Sequence, residues 1–393
     1  MRSALCAARM AIVAAVLLAV RPAMAETMTG ERALQALFAG QAVDMNAFAG
    51  EFLTKISASQ ITQLISGMKK DYGRLIGVQP AGNGFVLRFE HVEVPALITL
   101  DANGRIIGLR FATPQADIGT LVAAIKALPG RTSVLVAIDG KPIATHEADR
   151  PLAVGSAAKL AVLVALKRAI AQKRLAWDTV VKLDPGWKSL PSGELRNWPD
   201  GTPLTIATLA HLMISISDNT ATDALIHLVG HQAVEAVSPR NTPFLTTRQL
   251  FTLKTLENAS LRAEWQERDS AARRMIVEHV ADAPLPSPSE INPAATLQVE
   301  WFLTAQELCG LLDATADLPS TSINSGPVDQ NGWQSVAYKG GSEVGVLNFS
   351  SRLVDKDGHV SCVVATWNSD SPLDENRLMM PYKGLVQRLA MHQ

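Results

Sequence analysis

The chain is poor in cysteine and in net charge. Three cysteines occur in 393 residues, and none has the close spacing that zinc ligands need. That argues against both a zinc module and a small disulfide-framed scaffold. Lys and Arg total 36 against 37 Asp and Glu, and no long run of either sign occurs. A nucleic-acid partner would leave a basic footprint that is missing here. There is also no G-x-S-x-G, so nothing supports the strand-to-helix elbow of an α/β-hydrolase. What is present is an apolar fraction of 47%, which predicts packed cores, in a length that suits two or three domains.

The first 25 residues read as a leader rather than as part of the fold. Arg2 and Arg9 supply a positive start, and residues 10–20 form an apolar stretch short for a bilayer span. Ala23-Met24-Ala25 is a small-x-small cleavage pattern. Cleavage after Ala25 predicts a mature start at Glu26 and a periplasmic or secreted protein with no membrane span left. Cys6 is not beside the cleavage site, so no lipid attachment is expected. Cys309 and Cys362 remain after export, either paired in the oxidising compartment or as buried free thiols.

Residues 26–114 form one module. Apolar residues recur at helical intervals across 29–72 (Leu34, Leu37, Phe38, Phe48, Phe52, Ile56, Ile61, Leu64, Ile65). Short strand-type runs at 74–78, 84–91, 96–100 and 105–111 follow, divided by turn residues that include Asn103-Gly104. The pattern is α+β, and it carries no acid–base constellation. Thr113-Pro114-Gln115 marks the seam. Beyond it a helix (118–128) leads to strands at 133–138 and 142–146, joined at Asp139-Gly140, a strong hairpin signal. A long apolar helix follows Gly155. Residues 200–230 and 239–312 are mostly helical, strands return across 334–367, and a last helix covers 380–391. Residues 115–393 therefore read as an antiparallel sheet built from both ends of the domain, with an all-helical lobe between.

Three motifs carry the chemistry. Ser156-Ala157-Ala158-Lys159 alone says little, because average composition gives roughly one S-x-x-K in a chain of this length. Ser66-Gly67-Met68-Lys69 is a second copy, on a partly polar helix where both residues read as surface. Ser156 instead opens a helix that is apolar nearly all round, hence buried. A serine in that first turn lies near free N–H groups and the positive end of the dipole. Lys159, three residues on, shares its face. Burial and the helix N-terminus both disfavour its ammonium, so its pKa should fall toward that of a usable base. The second motif, Ser217-Asp218-Asn219, is expected by composition in about one chain in twenty. The third, Lys339-Gly340-Gly341-Ser342, places two glycines in a strand, where a ligand or backbone comes close.

In this order the motifs resemble S-x-x-K, S-D-N and K-[TS]-G, the signature of class A β-lactamases and penicillin-binding proteins. The wording from Leu204-Thr205-Ile206 through Thr220-Ala221 is similar too, and the resemblance covers about residues 117–393. It implies a β-lactamase/transpeptidase-like domain, an acyl-enzyme on Ser156 and a role in antibiotic resistance. Lys159 would be the base and Ser217 the proton relay. Asn219 would hold Lys159 and substrate, Lys339 would face a substrate carboxylate, and the N–H groups of Ser156 and Ser342 would form the oxyanion hole beside Gly341. A small β-lactam or ester is the implied partner, with peptidoglycan a further candidate, and no cofactor or metal is implied. The module at 26–114 resembles the cystatin- or steroid-isomerase-like domains ahead of some serine hydrolases. With the hydrolase domain it resembles the β-lactamase-like esterases of clavulanic-acid clusters.

Two departures from the pattern stand out. Gly340 replaces the expected Thr or Ser, removing a hydroxyl for which Ser342 is the candidate substitute. Class A enzymes also carry a deacylating glutamate in the loop after S-D-N, whereas residues 238–249 contain no carboxylate. Thr246 to Gln249 reads there as a capping box opening a helix. Glu235 and Glu257 flank the stretch and read as solvated helix residues. His227 and His231, at i and i+4 on a helix without a third ligand, read as a surface pair.

Overall fold

The computed structural model describes residues 29–81, 83–90, 92–112 and 116–390. The leader, the seam at 113–115 and residue 391 lie outside the described residues. The chain divides into two compact units after Pro114.

The first unit begins with α1 (Gly30–Ala39), α2 (Gly50–Lys55) and α3 (Ala58–Tyr72). Ser57 and Gln60 close a capping box that starts α3. The antiparallel meander β1 (Leu75–Ala81), β2 (Gly84–Phe89), β3 (Glu93–Leu100), β4 (Ile106–Phe111) follows in sheet order β1-β2-β3-β4. Leu34, Leu37, Phe38, Ile61 and Ile65 bury against Val78, Leu87, Phe89 and Ile106. Ile56 and Leu64 fall off that face and are exposed. Ser66 is exposed on α3, and Lys69 Nζ donates to the Gly40 carbonyl at 2.6 Å.

The second unit starts with α4 (Ile118–Lys126), capped by Asp117, then β5 (Arg131–Ile138), β6 (Lys141–His146) and the short β7 (Leu152–Ala153). Asp139 and Gly140 both take positive φ, 49° and 74°, which a two-residue hairpin turn requires. The helical lobe holds α5 (Lys159–Ala171), the short pair β8 (Val180–Lys182) and β9 (Pro203–Thr205), then α6 (Ile206–Ser215), α7 (Asn219–Val229) and α8 (His231–Glu235). It continues through α9 (Thr247–Leu253), α10 (Ala259–Glu267), α11 (Ser270–Val280), β10 (Phe302–Leu303) and α12 (Ala305–Thr315). The chain ends with β11 (Ser335–Tyr338), β12 (Gly341–Glu343), β13 (Val346–Val354), β14 (Val360–Asn368) and α13 (Glu375–Ala390).

The main sheet runs β11-β13-β14-β5-β6, with β12 paired to β13, so strands from both ends of the unit lie side by side. Side chains alternate across the sheet: Val134, Val136, Val363 and Trp367 pack toward α4 and α13, while Leu135, Ala137 and Val364 pack toward α5. Burial on both faces accounts for the continuous apolar run of β5. Leu160, Leu163 and Leu166 of α5 are wholly buried in the lobe. Cys309 on α12 and Cys362 on β14 form a disulfide with Cα atoms 6.0 Å apart. The pairing alternative thus holds over free thiols.

Candidate active site

The turn bearing Ser156 is clamped from three sides. Val154 N donates to the Trp301 carbonyl at 3.0 Å. Asn368 accepts from Ala153 N at 2.8 Å and donates to its carbonyl at 2.9 Å. Gly155 has φ +51°, a left-handed conformation that glycine adopts without steric penalty. The α-helix begins at Lys159; Gly155–Ala158 form a 3₁₀ turn that leads into it. Ser156 therefore sits one turn earlier than a first-turn position in α5.

On the far side lies β12. A Cβ at Gly341 would overlap the Val154 carbonyl and crowd Ser156 N, and a Cβ at Gly155 would lie 3.3 Å from Ser342 N. The glycines thus let two backbone segments adjoin, bringing the N–H groups of Ser156 and Ser342 into one neighbourhood. The Ser342 side chain is exposed.

Lys159 is 2% exposed. Its ammonium donates to the Ser217 carbonyl at 2.6 Å, Ser217 Oγ at 3.0 Å and Asn219 Oδ1 at 2.6 Å. These contacts take all three ammonium protons. Ser156 Oγ has no hydrogen-bond partner among the described residues, so the direct contact expected at i+3 is replaced by contacts to the second motif. Burial holds the Lys159 pKa well below that of a free lysine, the nearby charge of Lys339 adds to this, and Asp223, Asp218 and Glu343 oppose it. Lys339, also buried, donates to the same Ser217 Oγ at 3.1 Å and to the Gly340 carbonyl at 2.7 Å. Burial brings its pKa down to about 7.

Ser217 holds φ +59°, uncommon for a residue with a side chain. That conformation sets its hydroxyl between the two lysines. Its neighbour Asp218 caps α7 through Ala221 N at 2.9 Å and accepts from Glu194 N at 2.7 Å and Leu195 N at 2.9 Å. Asn219 Nδ2 donates to the Leu190 carbonyl at 3.0 Å, turning its amide oxygen toward Lys159. The S-D-N tripeptide therefore divides its work: Ser217 and Asn219 face Lys159, while Asp218 ties the 193–195 loop to the helix.

Sequence reasoning missed Asp223, one turn beyond Asn219. It is buried and accepts from Thr247 N at 2.6 Å and Arg248 N at 2.9 Å. Burial nevertheless pushes its pKa up to about 7. A buried carboxylate at i+4 from a motif asparagine was the available signal. Tyr338 was also missed. A Cβ at Gly340 would overlap its hydroxyl, so the glycine in place of Thr or Ser has a steric cause.

The 238–249 stretch contains the expected capping box, with Thr246 accepting from Gln249 N at 3.1 Å. The solvated reading of Glu235 is corrected. It is buried, accepts from Phe244 N at 3.1 Å and pairs with Arg274 at 2.6 Å. Glu257 is exposed, in a turn rather than a helix. His227 and His231 stack edge-to-face at 6.0 Å, but Gly230, at φ +86°, ends α7 between them. No group of three or more metal-ligating side chains occurs among the described residues.

Residues 115–276 match the family model described as the Beta-lactamase enzyme family. The resemblance read from the three motifs is borne out for the second unit; the match does not extend to the first. Similar solved structures include a β-lactamase from Sphaerobacter thermophilus DSM 20745, 22% identical over 70% of this chain and 96% of that one, TM-score 0.49. A representative of class A β-lactamase from Bacteroides cellulosilyticus DSM 14838 is 15% identical over 69% and 96%, TM-score 0.48. A structure of PBP-A is 14% identical over 69% and 95%, TM-score 0.46. No curated protein matches the chain. No helix among the described residues is long and apolar enough to cross a membrane.

Proposed function

We propose that the chain is an exported serine hydrolase that forms an acyl-enzyme on Ser156 and hydrolyses β-lactam amide bonds. The observation that carries this reading is the buried Lys159 ammonium on Ser217 and Asn219, with Lys339 on the same Ser217 hydroxyl. Lowering the Lys159 pKa raises its neutral fraction, and neutral Lys159 takes the proton as Ser156 Oγ attacks the carbonyl. Ser217, between the two lysines, passes that proton to the leaving nitrogen. Lys339 supplies positive charge for a substrate carboxylate. The N–H groups of Ser156 and Ser342 receive the oxyanion, and each such donor is typically worth about 3 kcal/mol.

Release of the acyl group has no glutamate in residues 238–249 to activate water. Lys159 itself serves as the deacylating base. The bare loop and Gly340 also favour a second reading in the same fold: an esterase or cell-wall D,D-peptidase, or a module that acylates without turnover. Residues 26–114 are an accessory packing or recognition module in either case. The readings separate in a steady-state assay of a chromogenic cephalosporin and a nitrophenyl ester, run on the native chain, Ser156→Ala and Ser66→Ala. Cephalosporin turnover lost in Ser156→Ala and kept in Ser66→Ala is the expected result. Ester turnover alone would select the second reading, and turnover surviving Ser156→Ala would refute both.

A further inference from the structure

The loop between β8 and β9 touches every residue of the second motif. The Leu190 carbonyl accepts from Asn219 Nδ2 at 3.0 Å, and the Ser192 carbonyl accepts from Asn219 N at 3.1 Å. Glu194 N and Leu195 N donate to Asp218. The contact to Ser217 is made by a side chain: Ser192 Oγ donates to the Ser217 carbonyl at 2.6 Å. Ser192 belongs to none of the three motifs.

The same carbonyl accepts from the Lys159 ammonium, likewise at 2.6 Å. A carbonyl oxygen has two lone pairs, so it holds both donors at once. To act as a base, Lys159 must give up one of the three protons it places on the Ser217 carbonyl, Ser217 Oγ and Asn219 Oδ1. The acceptor it releases stays satisfied only where a second donor is present. Lys339 serves Ser217 Oγ and Ser192 serves the Ser217 carbonyl. Asn219 Oδ1 has no second donor among the described residues. A carbonyl shared between two donors also favours the ammonium less than one that serves it alone.

We propose that Ser192 is a positioning residue that favours neutral Lys159, by keeping the Ser217 carbonyl bonded as the lysine lets go. The inference rests on the acyl-enzyme reading and assigns part of the lysine's activation to a hydroxyl outside the motifs. The charges that face Lys159 are Lys339, Asp218 and Asp223 at the start of α7, and Glu343 on β12. All four are kept when Ser192 is changed, so a shift between variant and parent belongs to the hydroxyl. Ser192 is exposed, and its substitution leaves the packed core untouched.

The test is the rate of acylation by a saturating neutral nitrophenyl ester, followed across pH in the native chain, Ser192→Ala and Ser192→Thr. The midpoint of the acid limb should move up by roughly 0.5–1 pH unit in Ser192→Ala, the size of one hydrogen bond. The high-pH plateau should be retained, and Ser192→Thr, which keeps the hydroxyl, should restore the native midpoint. An unmoved midpoint in Ser192→Ala, with or without a fallen plateau, would overturn the assignment, and so would a shift that Ser192→Thr shares. No acylation of the native chain would overturn the acyl-enzyme reading as well, whereas acylation with an unmoved midpoint overturns this assignment alone.

Discussion

Asp223→Asn isolates the electrostatics beneath the site. The native carboxyl is buried and its pKa lies at about 7, against 3.8 for a free aspartate. Between those values the folded state keeps a proton that the unfolded state has released. Stability must therefore fall as pH rises through that window. The full difference corresponds to about 4 kcal/mol, from ~1.4 kcal/mol per pK unit over roughly three units. Asparagine does not titrate, so this slope vanishes in the variant. Its amide keeps one acceptor for the Thr247 or Arg248 N–H and turns a donor toward the other, costing about 1–2 kcal/mol. The variant should thus be less stable than native at pH 4 by about that amount. It should be more stable at pH 8 by about 2–3 kcal/mol, the difference of the two terms. Urea unfolding followed by tryptophan fluorescence at the two pH values, at fixed ionic strength, measures it. A native-minus-variant difference that stays flat with pH would refute the reasoning.

Gly341→Ala should abolish turnover while leaving most of the fold, because the new Cβ drives β12 away from Val154 and Ser156; kcat with a fluorescence check of folding decides it. Lys339 is cationic below about 7 and neutral above it. KM for an anionic substrate should therefore rise as pH passes 7, while a neutral ester's KM should not, and a pH–KM profile for each reads this out. Replacing Cys309 and Cys362 together by alanine opens a closed loop of 53 residues, which chain entropy values at about 4 kcal/mol. A matching fall in urea stability is the expected outcome.

The grouping of the candidate site residues was legible in the sequence where chemistry forces residue types into a short stretch. Ser156 and Lys159, Ser217 and Asn219, and the double glycine after Lys339 needed only order and context. The sheet's assembly from two chain ends also followed, since alternating burial and the Asp139-Gly140 turn are local signals. What escaped depends on partners distant in sequence. Lys159 turns to Ser217 and Asn219 rather than to Ser156 because α7 begins beside it. Glu235 is buried beside Arg274, which reaches it from α11. The Cys309–Cys362 choice required a helix and a strand to be placed together, and Gly340 made sense only once Tyr338 was seen to fill its space.

Intact-protein mass spectrometry after brief exposure to a penicillin, followed by peptide mapping, tests the central claim most directly. The account predicts a single adduct of the antibiotic's mass on the peptide containing Ser156, absent in Ser156→Ala and slowed in Lys159→Ala. No adduct on the native chain in the absence of turnover, or an adduct that persists in Ser156→Ala, would contradict it.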